Sequence, residues 1–205
     1  MPKTWFITGA SSGLGLEMTQ QLLERALYDM QQWRRAGMNL YLSVNLTTQH
    51  LEQPALAESV LGLLEKYQLP TVALRFEITE SALMRDQQSA IRTMQSLSDA
   101  GIKLALDDFG TGYSNLSYLR SFNATTLKID RSFISSLCLS ERDEPLVQAI
   151  INMAASLGLK TVAEGVEDAA TLNRLLALGC DEGQGFFWSP AVAESALPEL
   201  LQRQF

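Results

Sequence analysis

Short apolar runs alternate along the chain with longer stretches in which apolar residues recur at helical spacing. The runs have the length and residue types of buried strands and cover residues 4–7, 40–46, 73–78, 103–106, 126–129, 160–163 and 185–188. Amphipathic stretches lie between them near 15–37, 53–67, 85–100, 143–157 and 168–178. Strands separated by helices favour right-handed parallel crossovers. The pattern therefore predicts an α/β fold with about seven parallel strands.

Polar side chains stand at the carboxyl end of most of these predicted strands. They are Asn45, Glu77 with Glu80, Asp107 with Asp108, Lys128 with Asp130, Glu164 with Glu167, and Gln184. Any one of them could be a helix N-cap or a solvated acid. Glu77, Lys128 and Glu164, however, lie within apolar strand sequence, where a charge is costly without a partner or a metal ion. In an α/β barrel the carboxyl ends of the strands meet at one face, so the residues predict a cation site there.

The donor atoms of this predicted site are oxygen atoms, which suit Mg²⁺ or Mn²⁺ better than zinc. The adjacent acids Asp107 and Asp108 could bridge two ions, an arrangement that cleaves phosphodiesters. The single histidine, His50, follows the second predicted strand in a polar stretch, and we expect it at the surface. Cys138 and Cys180 are expected to be buried thiols rather than a disulfide.

Composition excludes some partners. The net charge of -7 argues against binding to a DNA or RNA backbone. No apolar stretch approaches the roughly 20 residues of a membrane span, and we expect a cytoplasmic protein without membrane contact. With 46% hydrophobic residues the chain can bury a sizeable core.

Six strings resemble, in order and spacing, the successive motifs of the EAL family of cyclic-di-GMP phosphodiesterases. They cover residues 43–46, 76–81, 107–114, 127–130, 163–167 and 184–185. The resemblance extends over about residues 26–205 and implies a TIM-barrel-like fold and metal-assisted hydrolysis of cyclic-di-GMP to linear pGpG.

The resemblance also implies a role for each residue. Asn45, Glu77 and Asp107 would bind a first metal ion, and Asp107, Asp108 and Glu164 would bind or flank a second. Lys128 would help to position the attacking water, and Glu164 is a candidate general base. The catalytic candidates are thus Glu164, Lys128 and Asp108, with Gln184 completing the rim, Glu167 beside it, and Glu80 anchoring the loop that starts at Asp107.

The opening of the chain departs from this family. Residues 3–25 resemble the first strand, glycine turn and helix of short-chain dehydrogenases, whose Thr-Gly-x-x-x-Gly-x-Gly pattern matches Thr8 to Gly15. The predicted turn could bind phosphate through Gly9, Ser11, Ser12, Gly13 and Gly15. A dehydrogenase is not expected, because no tyrosine has a lysine four residues further on, and NAD(P) is not expected as a cofactor.

We therefore interpret residues 1–205 as a single chimeric barrel-like domain, with a Rossmann-type start at 1–25 and a truncated EAL domain at 26–205. Family members carry a Glu-Ala-Leu strand whose Glu binds metal and a nearby Arg that holds phosphate, and neither is found here. Activity on cyclic-di-GMP is expected to be weak or absent. The alternative is a non-catalytic recombined barrel that binds metal, phosphate or nucleotide. A barrel with seven strands could close, stay open, or be completed in a homodimer, which we favour.

Overall fold

A computed structural model of the chain describes residues 16–84, 86–110, 122–138 and 143–202. The described chain divides into two compact units. The first contains residues 16–84, 86–107 and 122–125, and the second contains residues 108–110, 126–138 and 143–202. The predicted strand at 4–7 and the glycine turn from Thr8 to Gly15 lie outside the described residues.

The first unit alternates helices with parallel strands. Its elements are α1 Leu16–Arg35, β1 Leu42–Leu46, α2 Thr48–Leu51, α3 Leu56–Lys66, a 3₁₀ turn at Thr71–Ala73, β2 Leu74–Thr79, α4 Glu80–Met84, α5 Gln87–Asp99 and most of β3 Lys103–Phe109. Residues of β1 and β2 pair in parallel, with Asn45 opposite Glu77. Strand β2 pairs in parallel with β3, with Thr79 opposite Asp107.

The second unit repeats the same alternation. Its elements are β4 Thr126–Ile129, α6 Arg131–Ile134, α7 Asp143–Ser156, β5 Lys160–Glu164, α8 Ala169–Leu178, β6 Glu182–Gln184, a 3₁₀ turn at Glu194–Ala196 and α9 Leu197–Gln202. Strand β5 pairs in parallel with β4 and with β6. Within each unit the strands are neighbours in the order of the chain, β1 to β3 in the first and β4 to β6 in the second. The predicted α/β class and parallel strands are confirmed.

Apolar residues at strand and helix spacing form the core, as the sequence pattern predicts. On α1, Leu27, Met30 and Trp33 are buried at intervals of one helical turn. The helix ends at Arg35, two residues before Gly37, whose φ of 82° is the left-handed conformation that glycine adopts most readily. In β2 every residue but the last is buried, which is typical of a strand covered on both faces.

The last predicted strand is placed wrongly. Residues 185–188 form a turn, and the strand is β6, Glu182–Gln184. Gly185 explains the boundary, because a Cβ atom there would lie 2.1 Å from the carbonyl oxygen of Val166. The chain at this point is pressed against the backbone after β5, and Phe187 N–H donates to the same carbonyl at 3.0 Å. An apolar run therefore predicted a strand where the backbone in fact turns.

Two expectations about single side chains are also wrong. His50 is buried, with 6% of its surface exposed. Its Nδ1 accepts a hydrogen bond from Thr47 N–H at 3.1 Å, which caps α2. Cys180 is buried as expected, but Cys138 is exposed, and both are free thiols. Among the described helices, none is long and apolar enough to cross a membrane.

The capping contact makes His50 sensitive to acid. Because Nδ1 accepts from Thr47 N–H, the neutral ring carries its proton on Nε2, which is buried without a hydrogen-bond partner among the described residues. Protonation of Nδ1 would remove the cap and leave a charge in the core. Burial accordingly lowers the pKa of His50 below its ordinary value.

We predict that acid destabilises the protein through His50. As pH falls, His50 takes up a proton in the unfolded chain before it does so in the folded protein. The contribution of neutral His50 to the free energy of unfolding is therefore intact above its ordinary pKa of about 6.5 and is lost as pH falls below that value. The His50→Gln variant can keep the capping contact without titrating in this range. Urea unfolding at about pH 7.5 and about pH 5.5 should show a larger loss for the wild type than for this variant. Equal losses would contradict the assignment.

Candidate metal centre at the strand ends

In the first unit, the register of the strands brings together three of the predicted metal ligands. Asn45 and Glu77 are opposite each other on β1 and β2, so their side chains point to the same face of the sheet. Glu77 is also opposite Ala105 on β3, and Asp107, two residues later, points to that face as well. The predicted set Asn45, Glu77 and Asp107 thus lies at the carboxyl ends of three neighbouring strands.

Glu77 is the most deeply buried of these acids, with 1% of its surface exposed. The hydroxyl of Ser43, two residues before Asn45, donates a hydrogen bond of 2.5 Å to Glu77 Oε1. Burying a carboxylate is tolerated only with such compensation. Ser43, which lies on the same face of the sheet and further from the carboxyl end of β1 than Asn45, therefore orients the Glu77 carboxylate.

In the second unit, three further site residues share one face. Lys128 is opposite Val162, and Glu164 lies two residues beyond Val162 on β5. Gln184 on β6 is opposite Glu164. Lys128 Nζ lies 2.6 Å from Glu164 Oε1, and the side chains are 3% and 17% exposed. The two opposite charges are therefore paired in surroundings that largely exclude water, where their attraction is strong.

Acidic oxygen atoms gather at this point of the chain. In the second unit, Asp108 and Glu164 each place one carboxylate oxygen within 4.8 Å of the other. Asp107 is buried, and Asp108 and Glu164 are half-buried. Carboxylates this close repel one another unless a cation lies between them, so their arrangement suits a divalent cation.

An unusual backbone conformation brings Asp108 into this group. Consecutive residues of a regular strand point to opposite faces, so Asp107 and Asp108 would normally diverge. Asp108 instead has a φ of 54°, in the left-handed region that residues other than glycine rarely occupy. The conformation costs about 1–3 kcal/mol and brings an Asp108 oxygen beside that of Glu164.

The side chain of Gln184 also bears on whether the residues present suit a divalent cation. Its Oε1 atom is buried and has no hydrogen-bond partner among the residues that the structure describes. An oxygen acceptor in that position needs a water molecule or a cation. The predicted metal ligands of the site offer carboxylate or amide oxygens, which hard divalent cations prefer. The residues present therefore fit a hard divalent cation.

Comparison with known proteins agrees with this geometry. The model of the EAL domain family matches residues 1–191. The chain belongs to the EAL domain family. The match includes residues 1–25, so a separate origin for that segment stays a prediction.

Curated relatives resemble the chain over nearly all of its length. The signaling protein YkoW of Bacillus subtilis is 35% identical over 94% of this chain and 24% of its own. The cyclic di-GMP phosphodiesterase PA2567 of Pseudomonas aeruginosa is 36% identical over 90% of this chain and 31% of its own. The chain thus spans 24% and 31% of the length of these two relatives.

Solved structures of EAL domains have the same fold. The EAL domain of Mycobacterium smegmatis DcpA superposes with a TM-score of 0.85, at 37% identity, over 96% of this chain and 87% of that one. The PaMucR phosphodiesterase in complex with c-di-GMP gives a TM-score of 0.84, at 36% identity, over 91% of this chain and 76% of that one. The predicted TIM-barrel-like class is consistent with these matches.

The structure gives other contacts for some of the remaining predicted site residues of this EAL domain, and does not describe others. Glu167 is exposed and pairs with Arg131 at 2.6 Å. Asp130 caps α6 by accepting a hydrogen bond of 2.9 Å from Ser132 N–H, as the N-cap alternative allowed. Glu80 begins α4 directly after β2, but most of the loop that it was predicted to anchor lies outside the described residues. The residues of the predicted phosphate-binding turn also lie outside the described residues: Gly9, Ser11, Ser12, Gly13 and Gly15.

Sequence reasoning assigned no role to Ser43, Arg131 or Phe133. Ser43 could have been found, because a polar residue two positions before Asn45 in an apolar strand must share its face. Arg131 and Phe133 carried no such signal, since their contacts with Gly165 and Gly110 join distant parts of the chain.

We predict that Lys128→Met destabilises this domain strongly. The substitution leaves the Glu164 carboxylate partly buried without its cation, a change that typically costs about 3–5 kcal/mol. Urea unfolding with a chelator present measures the effect. Arg174→Met is the matched control, because Arg174 pairs with Glu144 at an exposed position and its loss should change little. Equal effects of both substitutions would show that burial of the Lys128 pair is unimportant.

Proposed function

We propose that this chain is a metal-dependent EAL phosphodiesterase domain that hydrolyses cyclic-di-GMP to linear pGpG. The observation that carries the proposal is the pair of neighbouring carboxylate oxygens from Asp108 and Glu164, with the buried Lys128 ammonium at 2.6 Å from Glu164. The printed names of several relatives support the substrate. PA2567 and NbdA of Pseudomonas aeruginosa are cyclic di-GMP phosphodiesterases, and the PaMucR structure contains c-di-GMP.

The proposed metal ligands are the oxygen donors at the strand ends. Asn45, Glu77 and Asp107 would hold one ion, and Asp108 and Glu164 would hold or flank another, with Mg²⁺ or Mn²⁺ preferred by this donor set. A bound divalent ion would polarise the phosphodiester and make a bound water more acidic. Ser43 keeps the Glu77 carboxylate turned toward its ligand position through the 2.5 Å hydrogen bond.

Glu164 and Lys128 carry the proton chemistry of the proposal. The Lys128 ammonium donates to Glu164 Oε1 and restrains the carboxylate at one position. Glu164 can accept a proton from the attacking water, and Lys128 can donate a hydrogen bond to that water and align it with the phosphorus atom. Asp108 and Gln184 present further oxygens toward the same group.

The rate of the reaction is proposed to be low. In the family the Glu of the Glu-Ala-Leu strand is a metal ligand, and these 205 residues contain no Glu-Ala-Leu string. Removing a residue that only supports a metal ligand typically costs about 10–100-fold in metal affinity or activity, and the loss of a ligand itself is expected to cost at least as much. The same observation favours the second candidate, a non-catalytic domain that binds metal, phosphate or nucleotide.

Other predicted properties remain part of the proposal. They are a single barrel-like domain, a cytoplasmic homodimer, and a βα unit of dehydrogenase-like ancestry at residues 1–25. Light scattering tests the dimer, and a monomeric mass would contradict it.

The decisive experiment is incubation with cyclic-di-GMP and Mn²⁺ or Mg²⁺, followed by chromatography for pGpG. We predict that product forms slowly and that Asp108→Asn and Glu164→Gln each reduce the rate by about 100-fold or more. Glu58→Gln is the control, since Glu58 is an exposed carboxylate on α3. Product formation that persists in both site variants would refute the site. Metal binding without product would favour the non-catalytic candidate.

A further inference from the structure

A glycine closely follows each of the two acids that approach each other in the second unit, Asp108 and Glu164. Both glycines have left-handed backbone conformations. Gly110 stands two residues after Asp108 and has a φ of 96°. Gly165 comes directly after Glu164 and has a φ of 73°. At each point the chain turns sharply just after a carboxylate, so the path of the turn helps to decide where that carboxylate points.

The space beside each glycine is occupied by a side chain of α6. A Cβ atom on Gly165 would lie 2.3 Å from Cγ of Arg131, and one on Gly110 would lie 2.8 Å from Cε2 of Phe133. Real Cβ atoms do not approach other atoms so closely. The aliphatic stem of Arg131 and the ring of Phe133 are therefore in direct contact with the backbone of the two turns.

This closeness is not a general property of left-handed glycines in the chain. Gly158 and Gly179 also have positive φ angles, of 72° and 84°, but a Cβ atom there would meet nothing within 4 Å. Both follow the C-terminal ends of helices, where glycine is favoured only because it adopts the left-handed backbone conformation readily. At Gly110 and Gly165 glycine is required by backbone conformation and also by the neighbouring side chain.

Helix α6 is well placed to act as a support. It follows β4, the strand of Lys128, and its N-terminus is capped by the Asp130 carboxylate. Ile134 at its end is completely buried. Arg131 and Phe133 are thus anchored to the strand whose lysine pairs with Glu164.

The charge of Arg131 contributes little to this support. Its guanidinium group pairs with Glu167 at 2.6 Å, but the two side chains are 62% and 50% exposed. Exposed ion pairs are weak because water screens them. The contact with Gly165 is made by the Cβ, Cγ and Cδ atoms of the stem.

We propose that α6 is a positioning element, in which the Arg131 stem and the Phe133 ring together set the separation of the Glu164 and Asp108 carboxylates. The inference rests on the proposed metal-dependent function. A small divalent ion accepts oxygen ligands only within a narrow range of distances. Relaxing either turn would therefore weaken metal binding although neither side chain touches the metal.

Metal affinity tests the proposal independently of catalysis. Titration calorimetry with Mn²⁺ should show about 10–100-fold weaker binding for Arg131→Ala and for Phe133→Ala. Arg131→Met, which keeps an unbranched stem and removes the charge, should bind like the wild type, and so should Glu167→Gln. Ser135→Ala, at an exposed position after α6, is the control for mutation in this region.

A glycine substitution approaches the same contact from the other side. Gly165→Ala should weaken Mn²⁺ binding more than Gly158→Ala, which imposes similar backbone strain without a clash. Combining Gly165→Ala with Arg131→Ala removes the clashing Cγ and Cδ atoms and should restore part of the affinity. A merely structural role would lower the thermal midpoint of these variants without this pattern in metal affinity.

The outcomes separate this inference from the proposed function. Mn²⁺ binding that is unchanged in Arg131→Ala and Phe133→Ala would overturn the positioning role, as would an Arg131→Met variant as weak as Arg131→Ala. Metal binding that follows the expected pattern without formation of pGpG would support the positioning role and refute the phosphodiesterase. A wild type that binds no Mn²⁺ would overturn both.

Discussion

The Lys128 ammonium and the Glu164 carboxylate lie 2.6 Å apart with 3% and 17% of their side chains exposed, and the second unit is arranged around keeping them together. Burial of either charge alone would be very costly, so each charge can be buried only because the other lies beside it. The parallel pairing of β4, β5 and β6 meets this requirement, because it sets Lys128, Glu164 and Gln184 on one face of the sheet. The first unit solves the same problem differently, since Glu77 is compensated there by the Ser43 hydroxyl.

Backbone conformation is the second means by which the chain builds its candidate metal centre. Asp108 has a left-handed backbone conformation, and one of its carboxylate oxygens lies within 4.8 Å of one from Glu164. Gly110, two residues after Asp108, and Gly165, directly after Glu164, have left-handed conformations that turn the chain. Strained conformations of this kind persist only where surrounding structure holds them. Helix α6 supplies part of that structure through Arg131 and Phe133.

The chain belongs to the EAL domain family, and six strings of its sequence resemble the successive motifs of that family. The oxygen donors of β1, β2, β3 and β5 are all present at strand ends. The difference lies at the start of the chain, where a glycine-rich pattern occurs and no Glu-Ala-Leu string is found.

The sequence by itself determined the α/β class, the positions along the chain of the strands β1 to β5 and the set of acids at their ends. Those features follow from local periodicity and from the cost of placing charges in apolar strands, and both are visible in neighbouring residues. Only the tertiary structure decided that His50 is buried, that residues 185–188 turn, that Asp108 is left-handed and that Glu167 pairs with Arg131. These depend on contacts between residues far apart in the chain: the carbonyl of Val166 beside Gly185, for example, or the Arg131 stem beside Gly165. Hydrophobic and polar patterning specifies which face a residue occupies, whereas close packing against distant segments specifies what it touches there.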